Sequence, residues 1–421
     1  MNRKAGNYLA KEGAMLFIST LVVNLGNYAI NLLLGRWLGP ADFSEVSLLV
    51  TLMLMLSFWA LAFQLTGAKY AAEYIGDNKP YLLPQLSRWL RDLALKAGLA
   101  LAILLAGLSF FWKDFFQTVS FLPFMIFGAG MPLYLLMSVN RGILQGQTKY
   151  SRFALTYQAE MWARLVISVL LVWLGFGING VAWGITLSFL VTLFVSRVKF
   201  DGISKKEILP DTKKISRFLL MILVYECSQI LINNSDTVLV KHFFSPQDAG
   251  LYAALALMGR IVYFGTWTVV TMLFPAVIRL EKEGKPHSRY FAAGLAAVAG
   301  MAGVIVAASY LFPVWAVNIL FGAEYLSIAP LLWQYALATA LFACANVFVY
   351  YHLSLNRNLP AWLMIGGGFL QILLISFYHA SFQQVISIQI TLMAGMLTVM
   401  MTYQFLLHRT CAALPKPSNA V

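Results

Sequence analysis

Apolar runs of about 20 residues recur along the whole chain, and each is long enough to cross the hydrocarbon core of a bilayer as a helix. Of the 421 residues, 60% are hydrophobic and only 11% are charged. Inside a bilayer, a helix satisfies all of its own backbone hydrogen bonds, which an irregular segment does not. The sequence therefore predicts an all-α, polytopic membrane protein.

The predicted spans number twelve, and the basic residues orient them. With both termini in the cytoplasm, the inner segments carry 25 Lys and Arg residues, whereas the outer segments carry Arg36, Lys113 and Lys241. We interpret the net charge of +13 as this positive-inside bias and not as a sign of nucleic-acid binding. The basic and then apolar N-terminus, which lacks an A-x-A cleavage site, is expected to be a retained first span. The spans are expected at residues 14–34, 44–66, 93–112, 119–143, 153–175, 178–198, 217–239, 249–277, 290–312, 328–353, 360–380 and 384–408.

An internal repeat indicates that the chain is duplicated. The segment Thr20–Leu49 returns without a gap, shifted by 206 positions, at residues 226–255. An asparagine and a Pro-x-Asp turn between two apolar helices recur at equivalent positions of the two copies. A gap-free match of this length is typical of duplicated transporters. We therefore expect two six-helix bundles, at residues 1–206 and 207–421, related by an axis along the membrane normal and enclosing a cavity near the midplane.

Polar residues form a stripe along one face of helix 1 and of the equivalent helix 7. Turned toward acyl chains, these groups would lack hydrogen-bond partners, so the faces must contact water or protein. Two interpretations are open. The polar groups form hydrogen bonds between packed helices, or they line a wet cavity, and Glu226 in the second stripe favours the cavity. The stripes comprise Thr20, Asn24, Asn27 and Asn31 in helix 1, and Glu226, Gln229, Asn233 and Asp236 in helix 7.

Two arginines lie near the middle of predicted spans. Each needs a partner or water, because a guanidinium at the midplane costs about 3 kcal/mol even on lenient insertion scales. Arg164 follows Glu160 by one helical turn, so a structural ion pair is as plausible for it as a role in binding substrate. Arg260 has no acid within a turn. It is expected either to pair with Glu226 on the neighbouring helix or to bind an anionic substrate.

Four segments carry a resemblance to a known family: LLLGRWLGPADFSEVSLLVTL, FQLTGAKYAAEY, NRGILQGQTKYSRF and VWLGFGINGVAWGI. The chain resembles the polysaccharide transporter family of the multidrug/oligosaccharidyl-lipid/polysaccharide exporter superfamily, whose members include O-antigen flippases. The resemblance implies a flippase of the bacterial inner membrane that moves an undecaprenyl-pyrophosphate-linked oligosaccharide to the periplasmic leaflet by alternating access. It also implies a V-shaped pair of bundles around a cationic central cavity, with helices 1, 2, 7 and 8 at the gates. The asparagine stripe and the absence of two further C-terminal helices distinguish the chain from the lipid II branch.

The needs of such a cargo suggest a role for each candidate residue. Glu226, Asp236 and Glu160 would couple transport to a proton or sodium gradient, and no other cofactor and no metal are expected. The expected partners are the lipid-linked oligosaccharide, membrane lipids and glycan polymerases or other assembly enzymes. Residues expected to line the substrate cavity are Arg260 and Arg164, which would hold the pyrophosphate, and Asn24, Asn27, Asn31, Glu226, Asn233, Tyr263 and Trp267.

Two other classes of protein are alternatives to a flippase. A cation-coupled drug exporter of the same superfamily would have acids and few bases in its cavity, which Arg164 and Arg260 disfavour. A membrane enzyme is disfavoured because no large outer loop and no clustered His or carboxylate motif is present. The sequence also lacks a nucleotide-binding loop.

Overall fold

The computed structural model describes residues 3–200, 211–263, 277, 280, 285–355, 357 and 359–413. Every regular element within these residues is helical, and no strand occurs among them. The prediction of an all-α fold is confirmed. The α-helices are α1 (Arg3–Gly76), α2 (Leu83–Ala102), α3 (Ser109–Phe115), α4 (Leu122–Gly146), α5 (Tyr150–Leu171), α6 (Gly177–Val195), α7 (Thr212–Phe243), α8 (Pro246–Gly259), α9 (Ser288–Leu311), α10 (Pro313–Leu320), α11 (Leu332–Ser354), α12 (Leu359–Phe377) and α13 (Phe382–Ala413).

Glycines interrupt two of the longest helical segments. Within α1, Gly39 has φ 72° and ψ 173°, and Pro40 follows it without a backbone N–H to donate. Between α5 and α6, Gly175 and Gly177 have φ values of 87° and 53°. Each interruption divides a continuous run of apolar helix into two spans, as the predicted boundaries after residues 34 and 175 require.

The helices are long enough and apolar enough for a multi-pass membrane protein. The described residues contain seven helical segments that can cross a bilayer, or nine when two bent pairs are counted as spans. Two of the seven are the runs that Gly39 and the Gly175–Gly177 region divide. The twelve predicted spans coincide with described helix within a few residues at their ends, apart from the eighth. Much of that span, residues 264–276, lies outside the described residues.

The chain packs as two compact units. The N-terminal unit comprises Met1–Ile230 and Phe244–Gly250, and the C-terminal unit comprises Leu231–Phe243 and Leu251–Val421. The division between the units falls inside α7 and in the turn that follows it. The linker between the sequence repeats, around residue 206, lies outside the described residues.

Small residues allow the helices of the N-terminal unit to pack closely. A Cβ atom on Gly142 of α4 would overlap the backbone of Gln64 in α1, and one on Gly146 would overlap Ala68 and Ala71. Small residues at such contacts are the usual means by which membrane helices approach one another. Here they bring α4 against the second span of α1.

In the C-terminal unit, α11 packs against α9 and α13. Gly259, at the end of α8, leaves room for a ring of α11, because a Cβ atom there would overlap Tyr335. This contact holds the Tyr335 hydroxyl near the ion pair described below.

Candidate functional site

The N-terminal unit encloses a polar cavity among membrane-spanning helices. Its volume is about 440 Å³, and both spans of α1, together with α4 and α5, form its walls. This size lies within the range of ordinary small-molecule sites. The polar and charged lining residues are Ser19, Thr20, Asn24, Asn27, Ser57, Gln64, Tyr134, Ser138, Arg141, Tyr157, Glu160 and Arg164.

Two arginines share one carboxylate in this cavity. Oε2 of Glu160 lies 2.7 Å from Nη2 of Arg141, and Oε1 accepts a hydrogen bond from Nη2 of Arg164. The three residues are 9%, 3% and 6% exposed, respectively. The predicted pairing of Arg164 with Glu160 is confirmed. Because Glu160 is the one carboxylate among the lining residues, the cavity carries a net charge of +1.

The sequence analysis counted Arg141 among the basic residues of the inner segments and did not consider it for the cavity. The structure buries this side chain in the cavity wall. Nε donates to Oγ1 of Thr156 at 3.0 Å, and Nη2 donates to the Thr156 carbonyl at 2.9 Å. The guanidinium also lies 3.9 Å from the ring centroid of Tyr157. The one available signal was that Arg141 lies two residues inside the predicted fourth span.

The asparagines of the α1 stripe differ in whether they line the cavity or form hydrogen bonds within packed protein. Asn24 and Asn27 line the cavity, and Oδ1 of Asn27 lies 3.4 Å from Nη1 of Arg164. Asn31 is buried and its side-chain amide donates to the Asn27 carbonyl at 2.8 Å. The cavity interpretation therefore describes Asn24 and Asn27, whereas Asn31 stabilises its own helix and is absent from the lining.

Neutral hydrogen-bonding groups continue the lining away from the charges. The Tyr157 hydroxyl donates to Oε1 of Gln64 at 2.9 Å, and Nε2 of Gln64 donates to Oε1 of Gln145 at 3.1 Å. Nε2 of Gln158 donates to Oγ and to the carbonyl of Ser19, at 2.9 Å each. Sequence analysis missed this network, because single Gln and Tyr residues on different helices leave no pattern in the sequence.

The C-terminal unit holds a different ion pair, which corrects the prediction for Arg260. Nη2 of Arg260 lies 2.9 Å from Oδ1 of Asp236 and donates to Oγ1 of Thr237 at 2.9 Å. Nη1 donates to Oδ1 of Asn234 at 3.3 Å. Among the described residues, Asp236 is the carboxylate within ion-pair distance, so the predicted pairing with Glu226 is wrong. Arg260 is thus paired with a carboxylate that the sequence analysis did not assign to it.

Two tyrosines complete the environment of Asp236. The hydroxyls of Tyr335 and Tyr252 donate to Oδ2 at 2.6 and 3.1 Å. A cavity of about 30 Å³ adjoins this cluster, lined by residues that include Asn233 and Arg260. That volume suits one water molecule and not a sugar or a phosphate. Among the described residues of this unit, therefore, Arg260 and Asn233 line a space that is too small for a sugar or a phosphate.

The other predicted site residues lie apart from both clusters. Glu226 is half-buried at a 45° bend between the segments Thr212–Val224 and Gln229–Phe243 of α7. Tyr263 is half-buried, with its ring centroid 5.7 Å from that of Phe342. Trp267 lies outside the described residues. Of the residues predicted to line a cavity, Asn24, Asn27 and Arg164 lie in the lining of the N-terminal cavity, and Glu160, predicted as the partner of Arg164 and for ion coupling, lies there with them.

Comparison with known proteins assigns the chain to a family. A family model described as polysaccharide biosynthesis protein matches residues 92–330, more than half of the chain. The chain belongs to this polysaccharide biosynthesis family. The resemblance inferred from sequence motifs is thereby confirmed. No curated protein sequence matches the chain significantly.

Solved structures extend the comparison of this family member to its fold. A multidrug resistance MATE family transporter of the MOP superfamily, in an inward-facing conformation, matches with a TM-score of 0.77 and 15% identity over 94% of this chain and 96% of that one. The lipid II flippase MurJ, in an inward closed conformation, matches with a TM-score of 0.72 and 13% identity over 94% and 87% of the two chains. A MOP superfamily transporter from Pyrococcus furiosus, for which a reverse polarity of the binding pocket suggests a different function, matches with a TM-score of 0.62 and 16% identity over 94% and 93%. The chain thus has the fold of these MOP superfamily transporters.

Proposed function

We propose that this protein is a flippase that moves an undecaprenyl-pyrophosphate-linked oligosaccharide from the cytoplasmic to the periplasmic leaflet of the bacterial inner membrane by alternating access. The observation that carries the proposal is the net positive, amide-lined cavity among the membrane-spanning helices of the N-terminal unit. Membership of the polysaccharide biosynthesis family supports a glycan cargo.

The cavity supplies what such a cargo needs. Glycan hydroxyls and anionic groups are too costly to transfer into hydrocarbon without hydrogen bonds and countercharge. Asn24, Asn27, Gln64 and Tyr157 offer donors and acceptors for hydroxyls, and the arginine pair contributes the positive charge. A prenyl chain remains in the bilayer, since it is as apolar as the lipids around it.

The polarity of the cavity disfavours the cation exporter as the alternative function. A cationic drug would meet a net charge of +1 in the N-terminal unit and, in the C-terminal unit, an aspartate already neutralised by Arg260. Like charge opposes binding, and a carboxylate that is already paired attracts a further cation less strongly. We also propose that Glu160, Asp236 or Glu226 couples transport to a proton or sodium gradient. We further propose that both termini lie in the cytoplasm and that the protein contacts glycan polymerases or other assembly enzymes.

The test uses the full-length protein in vesicles that contain a fluorescent lipid-linked oligosaccharide. Movement between leaflets is measured by protection of the glycan from a membrane-impermeant oxidant, and efflux of a cationic dye is measured in parallel. We expect the lipid to move and the dye to stay. We expect Arg164→Gln to slow lipid movement at least tenfold, because it removes the positive charge of the cavity, whereas Arg88→Gln, at an exposed position, leaves the rate within twofold.

Transport of the dye without the lipid would replace the flippase with an exporter. An unchanged rate in a folded Arg164→Gln variant would remove the cavity from the mechanism. Folding is checked by size-exclusion profile and thermal stability in detergent.

A further inference from the structure

The two arginines of the N-terminal cavity have different surroundings. Arg141 is held through Nε, through Nη2 and through the face of its guanidinium, by Thr156, Glu160 and Tyr157. Moving this guanidinium toward a ligand would break all of these contacts. Its role is therefore to hold its neighbours in position. Arg141 is therefore a positioning residue.

Arg164 is held less completely. Its Nη2 donates to Glu160, but the contact of Nη1 with Asn27 is long, at 3.4 Å. Its Nε is buried and has no hydrogen-bond partner among the described residues. A buried donor on a charged group that lacks an acceptor is costly and rare, so it is where a ligand acceptor gains the most. Nε, together with the weakly held Nη1 beside Asn27 in the lining, is therefore the part of Arg164 whose hydrogen bonds a ligand oxygen can still complete.

The charge of the cavity limits what that ligand can be. Two guanidiniums and one carboxylate leave a single positive charge for the ligand to neutralise. The three charged side chains are almost fully buried, and among buried groups surplus charge of either sign is penalised. A ligand group with one negative charge leaves the site neutral, whereas a diphosphate, with two or more charges, leaves it negative.

The rest of the lining suits a sugar. Asn24, Gln64, Ser57 and Tyr157 are neutral groups that donate and accept hydrogen bonds, as ring hydroxyls require. Apolar residues between them, such as Met53 and Met161, offer surface to the carbon face of a ring. The charged and neutral parts of the lining border one cavity.

We propose that this cavity is a subsite for an acidic sugar unit of the transported glycan, one that carries a single carboxylate as a hexuronate does. The carboxylate binds Arg164 beside Asn27, the ring hydroxyls bind the amide and hydroxyl lining, and the diphosphate of the carrier lies elsewhere. Glu160 and Arg141 fix the guanidinium in place. The inference rests on the proposed function, since it names the part of the cargo that this cavity recognises.

Binding to the purified full-length protein in detergent tests the subsite by calorimetry. The probes are cellobiouronate, cellobiose, which differs from it by one carboxylate, and inorganic pyrophosphate. We expect cellobiouronate to bind at least tenfold more tightly than either of the others. Arg164→Lys keeps the charge but removes Nε, and should weaken cellobiouronate at least tenfold while leaving cellobiose within twofold.

Asn27→Asp supplies a second variant in case Arg164→Lys does not fold. The added carboxylate makes the cavity neutral, so cellobiouronate should lose affinity at least tenfold and cellobiose should not. Arg88→Gln, at an exposed position, is the control and should bind all probes as the wild type does. Tighter binding of pyrophosphate than of cellobiouronate, equal binding of the two sugars, or no binding of cellobiouronate overturns the inference.

The failure of this inference is distinguishable from failure of the flippase proposal. If vesicles move a neutral and an acidic lipid-linked glycan equally fast, and Arg164→Lys slows both alike, the protein is a flippase without an acidic-sugar subsite. If neither lipid moves while cellobiouronate still binds through Arg164, the subsite stands and the flippase proposal fails.

Discussion

At the scale of single residues, the cost of removing a charge depends on how deeply its partner is buried. Glu160 balances two arginines that are almost fully buried. Removing one member of a buried pair leaves uncompensated charge and costs about 3–5 kcal/mol. The ion pair between Glu73 and Lys214 has the same chemistry, with an N–O distance of 2.9 Å, but its side chains are 35% and 57% exposed.

We therefore expect Glu160→Ala to lower the free energy of unfolding by about 3–5 kcal/mol. Glu73→Ala should change it little, since water screens the lysine that remains. The measurement is unfolding of both variants in mixed detergent micelles, followed by circular dichroism. Equal destabilisation by the two substitutions would show that Glu160 does not balance buried charge.

The same residues show how far a sequence can predict a site. The Glu160 and Arg164 pair was predictable because four residues along one helix place two side chains on the same face. The partner of Arg260 could not be predicted, because it lies on another helix, α7. That helix carries two acids, Glu226 and Asp236, and the sequence does not show which of them is close to Arg260. Arg141 was missed because charges within two residues of a span end are read as topology signals, whereas burial depends on neighbouring helices.

At the scale of elements, hydropathy predicts where helices cross the membrane, but only some of the bends between them. Gly39 and Pro40 mark the break in α1 in the sequence itself, and the structure places it there. No glycine or proline lies at the bend of α7, residues 225–228, so the sequence does not indicate the bend. Bends of that kind depend on packing, which a hydropathy pattern does not contain.

The break in α1 gives a prediction about backbone conformation. Gly39 has φ 72° and ψ 173°, a combination that is essentially restricted to glycine and in which a residue with a Cβ atom costs about 1–3 kcal/mol. We expect Gly39→Ala to destabilise the protein by about that amount and to disturb the turn that separates the first two spans. Gly76→Ala is the matched control, because a Cβ atom there meets nothing within 4 Å and the residue ends the same helix. Similar stabilities for the two variants in thermal scans would mean that the turn tolerates a side chain.

At the scale of the whole molecule, two copies of one repeat have acquired different interiors. In the N-terminal unit, a buried cluster with a net charge of +1 borders a cavity of about 440 Å³. In the C-terminal unit, the Arg260 and Asp236 pair is neutral and adjoins only about 30 Å³. The repeat was evident in the sequence, but this divergence was not, because the asparagines at equivalent positions are present in both copies. A duplicated scaffold therefore does not imply a duplicated binding site.

The direction of transport depends on the orientation of the whole chain in the membrane. The basic residues near two exposed turns predict this orientation, so labelling of the turns can test it. The segment around Asn78 carries Lys69, Lys79 and Arg88, whereas the basic residue near Gln117 is Lys113. Basic residues are retained on the cytoplasmic side, so the first turn should face the cytoplasm and the second the opposite side. Asn78 and Gln117 are both exposed, with φ values of 56° and 51° in the turns after α1 and α3.

In a variant without its three native cysteines, Asn78→Cys and Gln117→Cys report on these two sides. A membrane-impermeant maleimide added to intact cells should label Gln117→Cys, and should label Asn78→Cys only after the membrane is permeabilised. Permeabilised cells, in which both positions are expected to react, provide the control for access. Labelling of Asn78→Cys from outside would reverse the orientation. Because a cytoplasmically assembled glycan must then enter from the other end of the molecule, a reversed pattern would also contradict the proposed direction of flipping.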